Sequence, residues 1–226
     1  MKKRATQNLQ VVTALALLLF STFGGAGRLD WVPGWIFIAE FVGGMTAAFI
    51  VLRKVNPDLI QARSDWRHSD TKRFDRFILA VYLPVTYLQP AIAGVDAARF
   101  HWSKMPATAL PVGVAVFAAA TVLMAWSLAV NQFAEPTVRI QVERGHRPIV
   151  SGPYGLVRHP MYAGAILMHF ATALILESYW ALAAAGFLTA LLVLRTALED
   201  RTLQRELPGY KEFAGQTRSR LIPGLW

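Results

Sequence analysis

The chain has no cysteine among its 226 residues, which excludes disulfide bonds, thiolate nucleophiles, zinc ribbons and iron–sulfur clusters. Charged residues are also scarce, at 16% of the chain against ~25% in soluble chains. No glycine-rich G-x-G-x-x-G turn follows a strand pattern, which argues against a Rossmann-type nucleotide-binding domain. The histidines in loops, His68, His101 and His146, lack metal-ligand spacing, so we expect no metal site.

The sequence is instead rich in long apolar runs. Four runs, at residues 9–26, 32–52, 77–95 and 109–130, are long enough for a bilayer of ~30 Å, which takes about 20 helical residues. Two shorter runs, 162–176 and 179–194, are separated only by Glu177 and Ser178, which predicts an antiparallel helical hairpin. We therefore predict an all-α fold, a polytopic transmembrane bundle of four spanning helices, with a short C-terminal helical hairpin and a cytoplasmic tail.

The basic residues lie almost wholly on one side of these runs. If the N-terminus is cytoplasmic and the runs alternate, the cytoplasmic segments hold 20 of the 23 Lys and Arg residues, leaving Arg28, Arg99 and Lys104 outside. The positive-inside rule predicts such a bias. The net charge of +9 therefore indicates membrane topology, with the lipid bilayer as partner and no nucleic acid. We expect an integral protein of a bacterial plasma membrane.

The first two runs carry further signals. Lys2, Lys3 and Arg4 before the first run are typical both of a signal peptide and of a first membrane anchor. We expect an uncleaved anchor, because several spans follow. Glu40 lies within the second run, where an acid is costly, and we expect it to pair with a polar residue such as Gln89.

Polar and small residues gather in segment 151–164. Gly152-Pro153 marks a turn. Pro160 suits the first position of a helix, whose free amides and positive dipole end would point back at the loop. Aromatic rings with hydrogen-bonding tips are supplied by Tyr154, His159 and Tyr162. This pattern predicts a pocket at the membrane interface, open to the cytoplasm, for a small polar ligand.

The second hairpin helix ends in a charged stretch, residues 195–201. Arg195 and Glu199 are four residues apart and share a helix face. The hairpin would return this end to the neighbourhood of His159. Two acids, Glu199 and Asp200, would then border the aromatic loop together with an arginine.

These motifs resemble the isoprenylcysteine carboxyl methyltransferase and phospholipid methyltransferase family of membrane enzymes. The resemblance covers roughly residues 138–226. It is carried by Gly152-Pro153-Tyr154, Arg158-His159-Pro160-x-Tyr162-x-Gly164, Glu199-Asp200-x-x-Leu203, Tyr210 and Arg220-x-Ile222-Pro223. Asp200 stands where the family pattern usually has a second glutamate, which keeps the charge but shortens the reach.

The resemblance implies a methyltransferase that uses S-adenosyl-L-methionine, bound between the hairpin, the loop and the tail. Residues 1–133 would form the four-span region and 134–226 the catalytic region. The cofactor-binding residues it implies are Gly152, Tyr154, Arg158, His159, Pro160, Tyr162, Glu199 and Asp200. The catalytic candidates are Arg195, to orient a substrate carboxylate, and Glu199, to accept a proton from an amine, a role that His159 could also fill.

The methyl acceptor implied by the resemblance is a lipophilic small molecule or a lipidated substrate, either a carboxylate such as an isoprenylcysteine-like group or a lipid amine. Two alternatives remain. An NADPH-dependent membrane reductase of the sterol-reductase type would need basic residues for a 2′-phosphate, and the acidic pair argues against it. A non-enzymatic transporter or scaffold predicts repeated halves or helices broken at the midplane, and neither is seen.

Overall fold

A computed structural model describes the backbone of residues 2–64 and 68–226, and the side chains from residue 9 onward within those ranges. Part of the predicted charge bias depends on Lys2, Lys3, Arg4 and Arg67, whose side chains lie outside the described residues.

Helices account for all the regular structure in the described ranges, which confirms the predicted all-α class. The α-helices are α1 (Lys2–Ala26), α2 (Val32–Val55), α3 (Pro57–Ser64), α4 (Arg73–Ala93), α5 (Ala109–Val130), α6 (Pro160–Ile175), α7 (Tyr179–Glu206) and α8 (Tyr210–Gln216). A π-helix, Gly94–Phe100, continues α4, and short 3₁₀ turns lie at Val142–Arg144 and Gly152–Gly155.

Five helices, one more than predicted, are long and apolar enough to cross a membrane, and they indicate an integral membrane protein. They are α1 over Leu9–Ala26, α2, α4 with its π-helix, α5 and α7. The extra span is α7, whose apolar run the sequence placed at residues 179–194 and whose charged end it placed at residues 195–201. It continues to Glu206 because two of those charges are buried against opposite charges. Arg195 pairs with Asp75 at 2.7 Å, and Asp200 pairs with Arg158 at 2.7 Å.

The chain divides into two compact units. Unit 1 comprises Met1–Gly44, Val81–Ala118 and Met168–Leu188, and unit 2 comprises Met45–Ala80, Ala119–Leu167 and Thr189–Trp226. The core of unit 1 contains the fully buried side chains of Ala171, Ile175 and Ala181. Small residues allow its helices to touch: a Cβ at Gly25 would lie 2.3 Å from the Ala91 carbonyl oxygen. Such close backbone contact is typical of helix packing in membranes.

Polar side chains inside unit 1 bond to one another. Gln89 donates to the carbonyl oxygens of His169 at 2.8 Å and Ala181 at 3.2 Å. Its own oxygen lies 2.9 Å from His169 Nδ1. The expected pairing of Glu40 with Gln89 was therefore wrong, because the side-chain nitrogen and oxygen of Gln89 are bonded to His169 and Ala181. Sequence alone does not show that the hairpin would bring an imidazole to this position.

Unit 2 has two apolar clusters around the region of interest. One contains Tyr154, Leu203, Leu207, Tyr210 and Phe213. The other contains Leu52, Leu59, Leu128 and Ala134. The first cluster joins the loop before α6 to the end of α7 and to α8.

Candidate functional site

Unit 2 contains a cleft of about 760 Å³, counting its solvent-open mouth. Three segments line it: residues 131–149, 154–162 and 199–213. Of the predicted site residues, the lining includes Tyr154, Arg158, His159, Tyr162 and Glu199. Gly152, Pro160, Arg195 and Asp200 lie outside the lining. The structure therefore brings five of the predicted residues to one cleft and places the other four around it.

Glu199 and Tyr162 meet across the hairpin. The Tyr162 hydroxyl donates to Glu199 Oε2 at 2.5 Å, although the two residues are 37 positions apart. The Tyr162 ring lies nearly parallel to the His159 ring, with centroids 5.7 Å apart and planes 4° apart. Within the described ranges Glu199 Oε1 has no donor. Glu199 therefore lines the cleft as a positioned carboxylate with one oxygen available to a ligand.

The tail is bonded to the loop that precedes α6. The Arg158 amide donates to the Ser219 carbonyl at 3.0 Å, and the His159 amide donates to the Arg220 carbonyl at 2.9 Å. The loop, the end of α7 and the tail thus meet in unit 2, as the predicted hairpin requires.

Asp200 is fully buried and fully bonded. Its Oδ1 accepts from Arg158 Nε at 2.7 Å and from the Tyr210 hydroxyl at 3.1 Å. Its Oδ2 accepts from Arg158 at 3.1 Å, Gln204 at 2.8 Å and Arg220 at 3.0 Å. These bonds occupy the acceptor sites of a carboxylate. Asp200 therefore ties the loop and the tail to α7 and offers no free oxygen to a ligand.

Arg158 is committed to the same connection. Besides Asp200, its guanidinium donates to the carbonyl oxygens of Thr217 and Arg218, each at 2.7 Å. The side chain is buried. Its charge is therefore balanced inside the protein, although the residue borders the cleft.

Arg195 is bonded away from the cleft. Its Nε donates to Asp75 Oδ1 at 2.7 Å, and its NH2 group donates to the Pro136 carbonyl at 2.7 Å. The guanidinium lies 5.1 Å from the centroid of the Tyr162 ring. In the described part of the chain Arg195 forms its ion pair with Asp75 and not with Glu199. Its contact with the site is made through the ring of Tyr162.

Two predicted residues shape the backbone. Gly152 has φ +60°, and a Cβ there would lie 3.0 Å from the Trp126 indole nitrogen, so only glycine fits this turn easily. Pro160 begins α6, as predicted. The first amides of α6 are less free than expected, because those of Tyr162 and Ala163 donate to the His159 carbonyl. The Met161 amide has no acceptor in the described residues, and Met161 lines the cleft.

Residues 131–149 form a wall that the sequence reasoning missed. Glu135 accepts from Arg139 at 2.8 Å and from Arg144 at 3.3 Å, two arginines that the sequence assigned to membrane topology. The Thr137 hydroxyl is buried without a partner among the described residues. A signal was available: Glu135 is an acid close behind an uncharged span, in a segment otherwise rich in arginine.

Burial sets the protonation of the ring groups in this region outside the membrane helices. It raises the pKa of Tyr154 to about 12. Burial, followed by the charge of Asp200, raises the pKa of Tyr210. Burial lowers the pKa of His146 to about 4. At neutral pH both phenols therefore remain hydrogen-bond donors, and His146 is uncharged.

Most residues that line the cleft lie in a region that matches a family model. Residues 108–208 match the family model described as phospholipid methyltransferase. The match begins at α5 and ends before α8, so it includes the loop, the hairpin and the acidic pair. It confirms the predicted resemblance to this family over that part of the chain. No curated protein matches the chain.

Proposed function

We propose that this membrane protein, with its phospholipid methyltransferase-like region, is an S-adenosylmethionine-dependent methyltransferase that acts on a lipophilic acceptor. The observation that carries the proposal is Glu199, whose carboxylate is held by Tyr162 at 2.5 Å with one oxygen free in the cleft. Beside it, His159 and Tyr162 present stacked rings. A carboxylate next to aromatic faces suits a ligand that carries a cation and hydroxyl groups.

The groups in the cleft fit the parts of this cofactor. The free oxygen of Glu199 would accept from the amino group or a ribose hydroxyl. The Met161 amide, at the positive end of α6, would donate to the cofactor carboxylate. The unpartnered Thr137 hydroxyl would offer one more hydrogen bond, and Tyr154 adds a phenol and an aromatic face. When bound, the cofactor supplies a methyl group on a sulfonium, ready for in-line displacement.

The remaining predicted site residues act by positioning in this proposal. Asp200 and Arg158 hold the loop against α7 and the tail, which fixes His159 at the cleft. Arg195 supports Tyr162 from over the face of its ring, and Gly152 and Pro160 set the turn and the start of α6. Their replacement would change the affinity for the cofactor indirectly, through the geometry of His159, Tyr162 and Glu199.

The charges of the cleft favour an amine acceptor over a carboxylate. Arg139 is bonded to Glu135 and Arg158 to Asp200, so neither is available to orient an anion. Arg147, the other cation in the lining, is exposed. A lipid amine must lose a proton before it attacks, and Glu199 or His159 would accept that proton.

Calorimetry in detergent tests the cofactor. We expect the wild type to bind S-adenosylhomocysteine and to show no binding of NADPH. Glu199→Gln should weaken S-adenosylhomocysteine by about 10–100-fold, the range for a lost hydrogen bond to a charged group. Glu206→Gln is the matched control, because Glu206 lies on the same helix but pairs with Lys72 at 2.6 Å. Preference for NADPH, or equal affinities of the two variants, would contradict the proposal.

Methyl transfer from labelled cofactor to a total lipid extract tests the acceptor separately. We expect the label in amine lipids. Label recovered as a base-labile methyl ester would overturn the preference for an amine but leave the methyltransferase proposal standing.

A further inference from the structure

A second depression lies beside the end of α7, outside the cleft. This basic groove, of about 870 Å³ counting open solvent, is bounded by Arg201, Arg205, Lys211, Arg220 and Trp226, among others. The one acid in its lining is Asp200, whose charge is already shared by Arg158 and Arg220. The groove therefore carries a clear excess of positive charge.

Three cations of the basic groove, Arg201, Arg205 and Lys211, lack acids of their own, whereas Arg220 pairs with Asp200. Elsewhere in unit 2, Lys72 pairs with Glu206 and Arg195 with Asp75. Arg201, Arg205 and Lys211 are exposed, and no acid in the described ranges pairs with them. Arg201 and Arg205 are also four residues apart on α7, where like charges repel. An anion in the groove would remove that repulsion.

The length of α7 indicates where the groove lies relative to a bilayer. Its 28 residues span ~42 Å at the helical rise, whereas the hydrocarbon core is ~30 Å thick. With Tyr179 at one hydrocarbon boundary, the last ~8 residues of α7 extend into the headgroup region on the other side. Arg201 and Arg205 are among those residues, so this placement puts the groove at the depth of lipid phosphates.

The tail adds an apolar border of the kind found at membrane interfaces. The Arg220 guanidinium lies 4.9 Å from the centroid of a Trp226 ring. Backbone bonds between Ile222 and Trp226 close a tight turn. Ile222 and Leu225 are 54% and 77% exposed, and tryptophan is enriched at membrane–water interfaces. Cations next to exposed apolar side chains suit a ligand with a phosphate and acyl chains.

We propose that the basic groove binds the headgroup of an anionic phospholipid from the surrounding membrane. The phosphate lies among Arg201, Arg205 and Lys211, and the acyl chains lie against Ile222, Leu225 and the bilayer. This lipid is a ligand of the groove and not the methyl acceptor of the cleft. The site therefore stands independently of the proposed methyl transfer.

Native mass spectrometry of the detergent-purified full chain tests the site. Phosphatidylglycerol and phosphatidylcholine are titrated separately, and we expect the wild type to retain one phosphatidylglycerol with at least tenfold preference. Arg201→Gln with Arg205→Gln should weaken that binding by about tenfold or more, because each cation near an anionic membrane surface contributes ~1 kcal/mol. Both side chains are exposed, so the variant should fold normally.

The matched control removes two charges at the end of another span. Arg53→Gln with Lys54→Gln alters the end of α2, where both side chains are exposed, and should leave the affinity for phosphatidylglycerol unchanged. Inorganic phosphate in large excess over the lipid is added as a competitor and should not displace the lipid. Equal retention of the two lipids, an equal loss in the control, or displacement by phosphate would each overturn the proposal.

Discussion

In unit 1, Asp96 accepts from the Ser103 amide at 2.9 Å and from the hydroxyls of Ser103 and Ser178 at 2.5 Å each, whereas in unit 2 Glu199 accepts from Tyr162 alone. The side-chain oxygens of Asp96 are saturated by these bonds, which join the π-helix to the start of α7. The acid of unit 2 keeps an acceptor for something outside the protein. A carboxylate that is saturated by protein donors stabilises the fold, whereas one with a free oxygen at a cleft is available to a ligand.

The same contrast recurs within unit 2 between two neighbours in the chain. Asp200 is bonded to five side chains, with His159 at 3.5 Å among them, and is fully buried, whereas Glu199 is half-buried at the cleft. Successive residues of an α-helix point about 100° apart, so one peptide bond separates an acid that faces the loop and tail from an acid that faces the cleft. A pair that looks uniform in sequence therefore occupies two different environments.

Replacing Asp200 should have the largest effect. Asp200→Asn leaves the charges of Arg158 and Arg220 without their counter-ion, and we expect a loss of about 3–5 kcal/mol in the free energy of unfolding. Denaturant unfolding in detergent measures it. Glu199→Gln, which keeps an acceptor for Tyr162, should lose less than about 1 kcal/mol. Similar losses in the two variants would remove the contrast between the neighbouring acids.

Asp96→Ala carries the comparison to unit 1. The substitution leaves the Ser103 amide and two serine hydroxyls without their acceptor. We expect a loss of about 2–4 kcal/mol in the free energy of unfolding. Asp30→Ala is the control in the same unit, because Asp30 pairs with Arg28 at 2.7 Å but is 73% exposed, and exposed pairs contribute little. The proposed saturation of Asp96 fails if both variants unfold at the same denaturant concentration.

Gly25→Ala tests the close packing of unit 1. The added Cβ would meet the Ala91 carbonyl oxygen at 2.3 Å, where backbone would have to move, and we expect a loss of about 1–3 kcal/mol. Gly43→Ala on α2 meets nothing within 4 Å and should be neutral or slightly stabilising. Thermal unfolding in one detergent compares them, and a stable Gly25→Ala protein would show that the two backbones do not touch.

The smallest expected effect is the pH dependence of stability that His146 contributes in unit 2. The Gln141 amide donates to His146 Nδ1 at 3.3 Å, which requires a neutral ring, and burial lowers the pKa of His146 from 6.5 to about 4. The unfolded chain therefore binds this proton first, so the stability from His146 is present above pH 6.5 and is lost as the pH falls toward 4.

His146→Gln should accordingly lose less stability than the wild type between pH 7 and pH 5. We expect a difference of less than about 1 kcal/mol, because the partly exposed ring is screened by solvent. Thermal unfolding at the two pH values measures it. A wild type that loses no more stability than His146→Gln on acidification would mean that the ring can take up its proton without leaving its site.

Much of the fold follows from local pattern. The run at 109–130 coincides with α5, and Pro160 begins α6 as its fixed φ favours. The spanning length of α7 was not predicted, because the sequence shows an apolar run that stops at Arg195 and does not show that Asp75, 120 residues away, neutralises that charge. The predicted division at residue 133 and the cytoplasmic side of the loop stay predictions.

The composition of the cleft follows the sequence only in part. Tyr154, His159, Tyr162 and Glu199 came together as predicted from their motifs. The wall at 131–149 was not predicted from the sequence. Its residues have no periodic pattern, and its arginines were explained as signals of membrane topology. The role predicted for Arg195, orienting a substrate, stays untested, and its bond to Asp75 makes positioning the better proposal.

The sequence by itself determined that this protein is helical, lies in a membrane and carries phenol, imidazole and carboxylate groups near one end of a hairpin. Hydropathy and proline act over a few neighbouring residues, so those features are encoded locally. Only the tertiary structure decided which carboxylate stays free and which arginines are neutralised. Pairing depends on partners 37 to 120 positions away, and a side chain bonded to such a partner cannot also bind a ligand.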